Sequence, residues 1–216
     1  MSSITAGTTL GGGLLYDSDT TGNLVIKTGS SATTAATFHA NAVTTFGGSV
    51  YLSGVSTPLR QLTSGTANTS ISGGTVVPFS IPTWAKRVTV MFSGVSTNGS
   101  SSPLVQIGTG GSATTSGYLG SSVNLSNGGS IGVSTYTLGF GLNYANSSNV
   151  IHGHMVLTLV TGNQWTASYT FAVASTAGIC NGGGSVSLAG TLDYLRVTTV
   201  NGTDLFDAGS INIMWE

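Results

Sequence analysis

A chain of 216 residues with only 5% Asp, Glu, Lys and Arg stands far from the roughly 25% charged content of ordinary soluble domains. Its formal net charge of −1 offers no basic surface for nucleic acid or acidic lipid. Its 39% hydrophobic residues are enough for a core, whereas disordered chains pair low hydrophobicity with high net charge. The 33 glycines argue against helix, because Gly costs about 1 kcal/mol at an interior helical position. Abundant Ser, Thr and Asn compete for backbone hydrogen bonds and favour turns. No amphipathic 3.6-residue pattern is present, and the longest apolar run, around Met155 to Val160, is far short of a membrane span. The start lacks the basic and long apolar regions of a secretory signal. Cys180 stands alone, so no internal disulfide can form. The expectation is an ordered all-β protein made in a reducing cytoplasm.

In chain order, residues 1–57 alternate short strand candidates with glycine turns: 24–27, 37–39, 43–46 and 50–52. Strands this short and sparsely apolar build no core alone. The segment is therefore expected to pack on copies of itself or on another protein. Residues 58–74, rich in Ser, Thr, Gly and Asn after Pro58, read as a linker. Residues 75–216 read as the main domain. Residues 76–79 form an edge strand, because Pro78 cannot donate to a ladder. Trp84 is placed at one end of the domain. Val88, Val90 and Phe92 alternate with polar neighbours, and residues 104–107 are the next strand.

Residues 108–129 read as a long polar excursion. Residues 134–142 and 150–160 are expected to pair, joined by 143–149. Residues 164–173 place Trp165, Ala167, Tyr169 and Phe171 on one face. Residues 176–187 read as a glycine-rich loop holding Cys180. The closing stretch, 192–216, holds the clearest code. Leu195, Val197 and Thr199 share a face, Asn201-Gly202 predicts a tight hairpin turn, and Asp207-Ala208-Gly209 predicts a second turn. Ile211, Ile213 and Trp215 then share one face of a final strand. Arg196 among Asp193, Asp204 and Asp207 predicts an ion-paired corner. About eight strands at this spacing predict an antiparallel β-sandwich of jelly-roll type.

No residue of the sequence is assigned a catalytic, cofactor-binding or metal role. Gly128-Gly129-Ser130-Ile131-Gly132 matches G-x-S-x-G, but without the strand-to-helix context a nucleophile elbow needs. Asp17 and Asp19 lie among Ser and Thr beside a turn, whereas paired acid–base carboxylates need burial and opposed environments. His152 and His154, two apart on a strand, share a face and could converge on a metal. The plainer reading is two polar side chains on a solvated face. Tyr118, Tyr136, Tyr144, Trp165 and Tyr169 are candidates for stacking on sugars, although the 164–173 alternation favours the core for at least half of them.

Several stretches resemble a known family. Asp19-Thr20-Thr21-Gly22-Asn23-Leu24-Val25-Ile26-Lys27-Thr28-Gly29, then Val43-Thr44-Thr45-Phe46-Gly47-Gly48, are similar to segments of tailed-bacteriophage fibre and head-decoration proteins. Ile81-Pro82-Thr83-Trp84-Ala85-Lys86-Arg87-Val88 and Leu192-Asp193-Tyr194-Leu195-Arg196-Val197 resemble blocks of phage virion-surface proteins. The resemblance touches both ends and leaves 108–190 unanchored. It implies a non-enzymatic, homotrimeric virion protein: a capsid decoration, cement or short head-fibre protein. Residues 1–57 would attach to the major capsid protein or another virion protein, and no nucleic acid, membrane or cofactor is implied. The alternative it leaves open is a tail-fibre receptor-binding protein recognising host-surface glycan.

Overall fold

The structure, a computed structural model, describes residues 61–216 apart from Ala145, together with the backbone of three strands between residues 24 and 46. The chain divides into two compact units, Met1–Arg60 and Gln61–Glu216. In the first, β1 (Leu24–Thr28), β2 (Thr33–Phe38) and β3 (Thr44–Phe46) form an antiparallel sheet in that order. The strand expected at 50–52, and Asp17 and Asp19, lie outside the described residues.

The second unit is all-β among its described residues. Its strands are β4 (Thr63–Ser64), β5 (Val77–Ser80), β6 (Arg87–Thr97), β7 (Pro103–Thr109), β8 (Ser112–Ala113) and β9 (Leu119–Leu125). They continue with β10 (Ile131–Tyr136), β11 (Phe140–Gly141), β12 (Ile151–Thr161), β13 (Gln164–Val173), β14 (Gly178–Ser187), β15 (Tyr194–Thr199) and β16 (Phe206–Trp215). A larger sheet has the order β10-β9-β14-β13-β12-β6-β16-β4, and a smaller one the order β11-β7-β15-β5 with β8 beside β7. The two sheets enclose one core, so the unit is an antiparallel sandwich.

Period-two patterning builds that core. Along β13 exposure alternates at every residue, with Trp165, Ala167, Tyr169, Phe171 and Val173 inside. Val88, Val90, Phe92, Met155, Leu157, Ile211 and Ile213 join them from the larger sheet, facing Val77, Val105, Ile107, Leu195 and Val197 of the smaller. Phe92 and Phe171 meet edge-to-face at 5.0 Å, as do Tyr118 and Phe140 at 4.9 Å, an arrangement worth about 1 kcal/mol beyond area burial.

Besides residues 108–129, which carry β8 and β9 rather than a polar excursion, four expectations of strand and turn placement differ from the structure. Residues 61–74 are not a free linker: β4 pairs with Met214 and Trp215, Asn68 bridges Ile211, and Ile71 is buried in the core. Residues 176–187 are mostly strand β14, not a loop. The glycines there serve close approach, since a Cβ on Gly182 would overlap the Tyr169 hydroxyl and one on Gly184 the Gly120 backbone. Residues 134–142 do not pair with 150–160: β10 pairs with β9, and β11 with β7 in the other sheet.

The fourth difference lies in the closing stretch. Asn201-Gly202 is a turn, with Gly202 at φ 69, but it carries the chain from the smaller sheet to the larger. β15 and β16 do not pair. Asp207-Ala208-Gly209 is a bulged passage within β16, with register shifts on either side of Ala208 and Gly209 at φ 92. A bulge reads like a turn because both call for glycine at positive φ.

Candidate functional site

The larger sheet ends differently on its two sides. At the β16 side, residues 63–73 run along the strand: Gly65 and Asn68 N–H donate to Ile213 and Ile211 carbonyls, both at 2.8 Å, and Gly73 N–H donates to Phe206. Arg87 pairs with Glu216 at 3.2 Å. At the other side β10 pairs only with β9, so one row of its backbone groups has no strand partner among the described residues. Two of its three outward side chains are apolar: Ile131 is 66% and Val133 70% exposed, with Thr135 the third. Register sets Ile131 beside Leu125 and Leu125 beside Ile179, so the apolar strip continues onto β9 and β14. No Asp, Glu, Lys or Arg occurs between Arg87 and Asp193. No gatekeeping charge therefore guards this edge.

The expected ion-paired corner is absent. Asp193 accepts from Gly110 and Gly111 N–H at 2.9 and 3.1 Å. Asp204 accepts from Ser101 N–H at 2.8 Å and Asn201 Nδ2 at 2.6 Å, and Asp207 accepts from the Ser96 hydroxyl. Each carboxylate clamps backbone or a polar neighbour across a connection. Arg196 instead donates from Nε to Gln106 Oε1 at 2.7 Å. Arg87–Glu216 is the only salt bridge among the described residues.

Clefts gather around 134–138. One, of about 360 Å³, is lined by Arg196, Gln106, Thr115, Leu138, Thr198 and Val200 among others. Its neighbour, of about 460 Å³, is lined by Ser100, Ser101, Ser102, Ser134, Tyr136 and Thr137, and shares Leu138 and Val200 with the first. A third, of about 500 Å³, lies over Gly120, Gly183 and Gly184, where the absent side chains leave a trough beside Leu119. Gln106, 4% exposed, is held at its other end by Nε2 donating to Leu138 O at 2.6 Å. That contact needs Gly139, because a Cβ there would press on Leu104 and Gln106.

The residues singled out in the sequence fall into two groups. Tyr118, Tyr144, Trp165 and Tyr169 are buried and unable to stack on a sugar. Tyr118 OH serves Ile107 and Thr114, and Tyr169 OH donates to Gly141 O at 2.7 Å. Tyr136 alone of the five is partly exposed; its OH donates to Ser102 Oγ at 3.1 Å. Burial pushes the Tyr118 phenol up to about 12 and raises Tyr136, Tyr169 and the Cys180 thiol in the same direction. Cys180 is buried against Ser122 Oγ at 3.1 Å, a setting that disfavours the reactive thiolate.

His152 and His154 lie on the exposed face of β12. His152 Nδ1 accepts from Gly94 N–H at 3.2 Å, and His154 sits beside Met91 and Thr170. No group of three or more potential metal ligands occurs among the described residues. Gly153 between them, at φ 145, is required because a Cβ would overlap Thr170 O. Gly128 and Gly129, both at positive φ, turn the β9–β10 hairpin. The G-x-S-x-G match thus leads into a strand rather than a helix.

What sequence reasoning missed is Arg196 with Gln106. They sit ninety positions apart, and only the lack of a carboxylate at i±2 or i±4 could have hinted that Arg196 was unpaired. Compared with known proteins, the chain matches no family model, no curated protein and no solved structure.

Proposed function

We propose that the protein is a non-enzymatic structural component of a tailed-phage particle surface, a trimeric capsid decoration, cement or short head-fibre protein. The observation that carries this reading is the bare β10 edge with its apolar strip, Ile131, Val133, Leu125 and Ile179, in a sheet whose opposite edge is covered by residues 63–73. A six-residue edge without Pro or charge is a template for another strand. The partner of fitting chemistry is a further copy of the chain, which is equally uncharged across this region. The division into Met1–Arg60 and Gln61–Glu216 supports separate attachment and projecting parts, with residues 1–57 holding the major capsid protein or another virion protein. The sequence resemblance supplies the particle.

Labelling the protein on whole phage particles tests the reading. Label spread over the head supports decoration, and unlabelled particles overturn the proposal. Light scattering on the purified full chain should return the mass of three chains, and a monomer mass overturns the trimer. A second reading, recognition of host-surface glycan by a tail fibre, is favoured by the hydroxyl-lined cleft carrying Tyr136 beside Ser102. Label confined to the tail would favour it.

A further inference from the structure

We propose that the cleft floored by Arg196 and Gln106 binds the carboxylate of an acidic sugar. The inference rests on the second reading, glycan recognition, and assigns it a site and a ligand class. Arg196 of β15 lies in register beside Gln106 of β7 on the outer face of the smaller sheet. Gln106 is anchored at both ends, to Leu138 O and to Arg196 Nε. The guanidinium is therefore held in place through Nε alone. Its two terminal amino groups have no partner among the described residues. Two parallel N–H donors of an arginine fork match the two oxygens of a carboxylate.

The charge on Arg196 points the same way. A half-buried cation normally has a counterion, since removing charge from water is costly unless it is paired. The three aspartates nearest in sequence are each committed elsewhere. A ligand carboxylate would supply the missing charge.

The surroundings fit a sugar. A cleft of about 360 Å³ falls at the small end of the ligand-pocket range. Leu138 and Val200, 44% and 39% exposed, offer apolar surface to the C–H face of a pyranose. Thr115 adds an exposed hydroxyl at the rim. Because Leu138 and Val200 also line the cleft of Tyr136 and Ser102, a second sugar unit would pass over them onto hydroxyls.

The test titrates the full chain with galacturonate, using galactose and acetate as comparators, by calorimetry or NMR. Galacturonate should bind with a Kd of about 1 mM, more weakly as salt rises, and more tightly than either comparator. Arg196→Gln and Arg196→Lys should each weaken it about tenfold or more, because lysine keeps the charge and loses the fork. Thr115→Trp, at an exposed rim position, should block the cleft without touching the guanidinium. It decides the matter if thermal melting shows the Arg196 variants to be misfolded. Absence of galacturonate binding, or binding that neither Arg196→Lys nor Thr115→Trp weakens, overturns the proposal. Acetate binding as tightly as galacturonate overturns the sugar assignment. A neutral glycan bound equally by Arg196→Gln and the unaltered chain overturns this site while leaving glycan recognition standing.

Discussion

The two edges of the larger sheet solve the same problem in opposite ways. At the β16 edge the chain supplies its own cover. Residues 63–73 satisfy the strand's outward groups, Ile71 is sunk into the core, and the Arg87–Glu216 pair closes the corner. At the β10 edge nothing among the described residues covers the strand, and the outward side chains are Ile131, Val133 and Thr135. A protein short of charge cannot blunt an edge with lysine. It must cover the edge with its own chain or leave it for a partner. The covered edge therefore belongs to folding, and the bare one is the edge we propose for assembly.

That division can be broken, beginning with the largest effect. Phe171 sits under both halves of the sheet, fully buried between Phe92 and Tyr169. Phe171→Ala should cost about 4 kcal/mol and unfold both edges in one transition, measured by urea denaturation with far-UV and near-UV signals. Two separate transitions would mean the edges do not share a core. Gly182→Val acts on the bare side, where β14 carries β9 and β10. Its side chain would collide with the Tyr169 hydroxyl, costing about 2 kcal/mol. Hydrogen exchange should rise first in residues 119–136, with 87–97 and 206–215 still protected.

Alkaline pH should weaken the shared core. Burial holds Tyr118 at about 12 against an ordinary 10.0, and raises Tyr136, Tyr169 and Cys180. The folded state keeps these protons longer than the unfolded state does. Their stabilisation is thus complete below about pH 9 and is lost as pH rises through the folded values. The melting temperature should be level near neutral pH and fall above about pH 9; a Tm that rises in that window contradicts the assignment of these groups as buried.

The two smallest effects separate the edges directly. Arg87 and Glu216 are 53% and 45% exposed, so Arg87→Ala should cost no more than about 1 kcal/mol, and less at high salt. Val133→Lys, on an exposed strand position, should change monomer stability by about 0.5 kcal/mol or less. It should nonetheless lower the mass seen by light scattering. An unchanged assembly would move the contact away from β10.

Sequence alone determined the class and much of the core. Scarce charge and helix-poor composition require sheet, and strict alternation assigns the inward face of β13 residue by residue, with Val88, Val90 and Phe92 of β6, Leu195 and Val197 of β15, and Ile211 and Ile213 of β16. Pro78 marks an edge strand, and β5 is one. These are local facts, carried by side-chain period and backbone chemistry. Tertiary structure decided what depends on who lies opposite. Glycines at 182–184 resemble a loop until the Tyr169 ring is seen above them. Gly209 resembles a turn until β6 is seen to continue alongside it. Asn201-Gly202 turns the chain in either case, but only the sheet order says that it crosses between layers. The site is the clearest instance. Nothing near Arg196 in the sequence shows that its neighbour is Gln106 rather than an aspartate, because nearby carboxylates are drawn off by backbone N–H, amide and hydroxyl donors that the folded connections bring within reach.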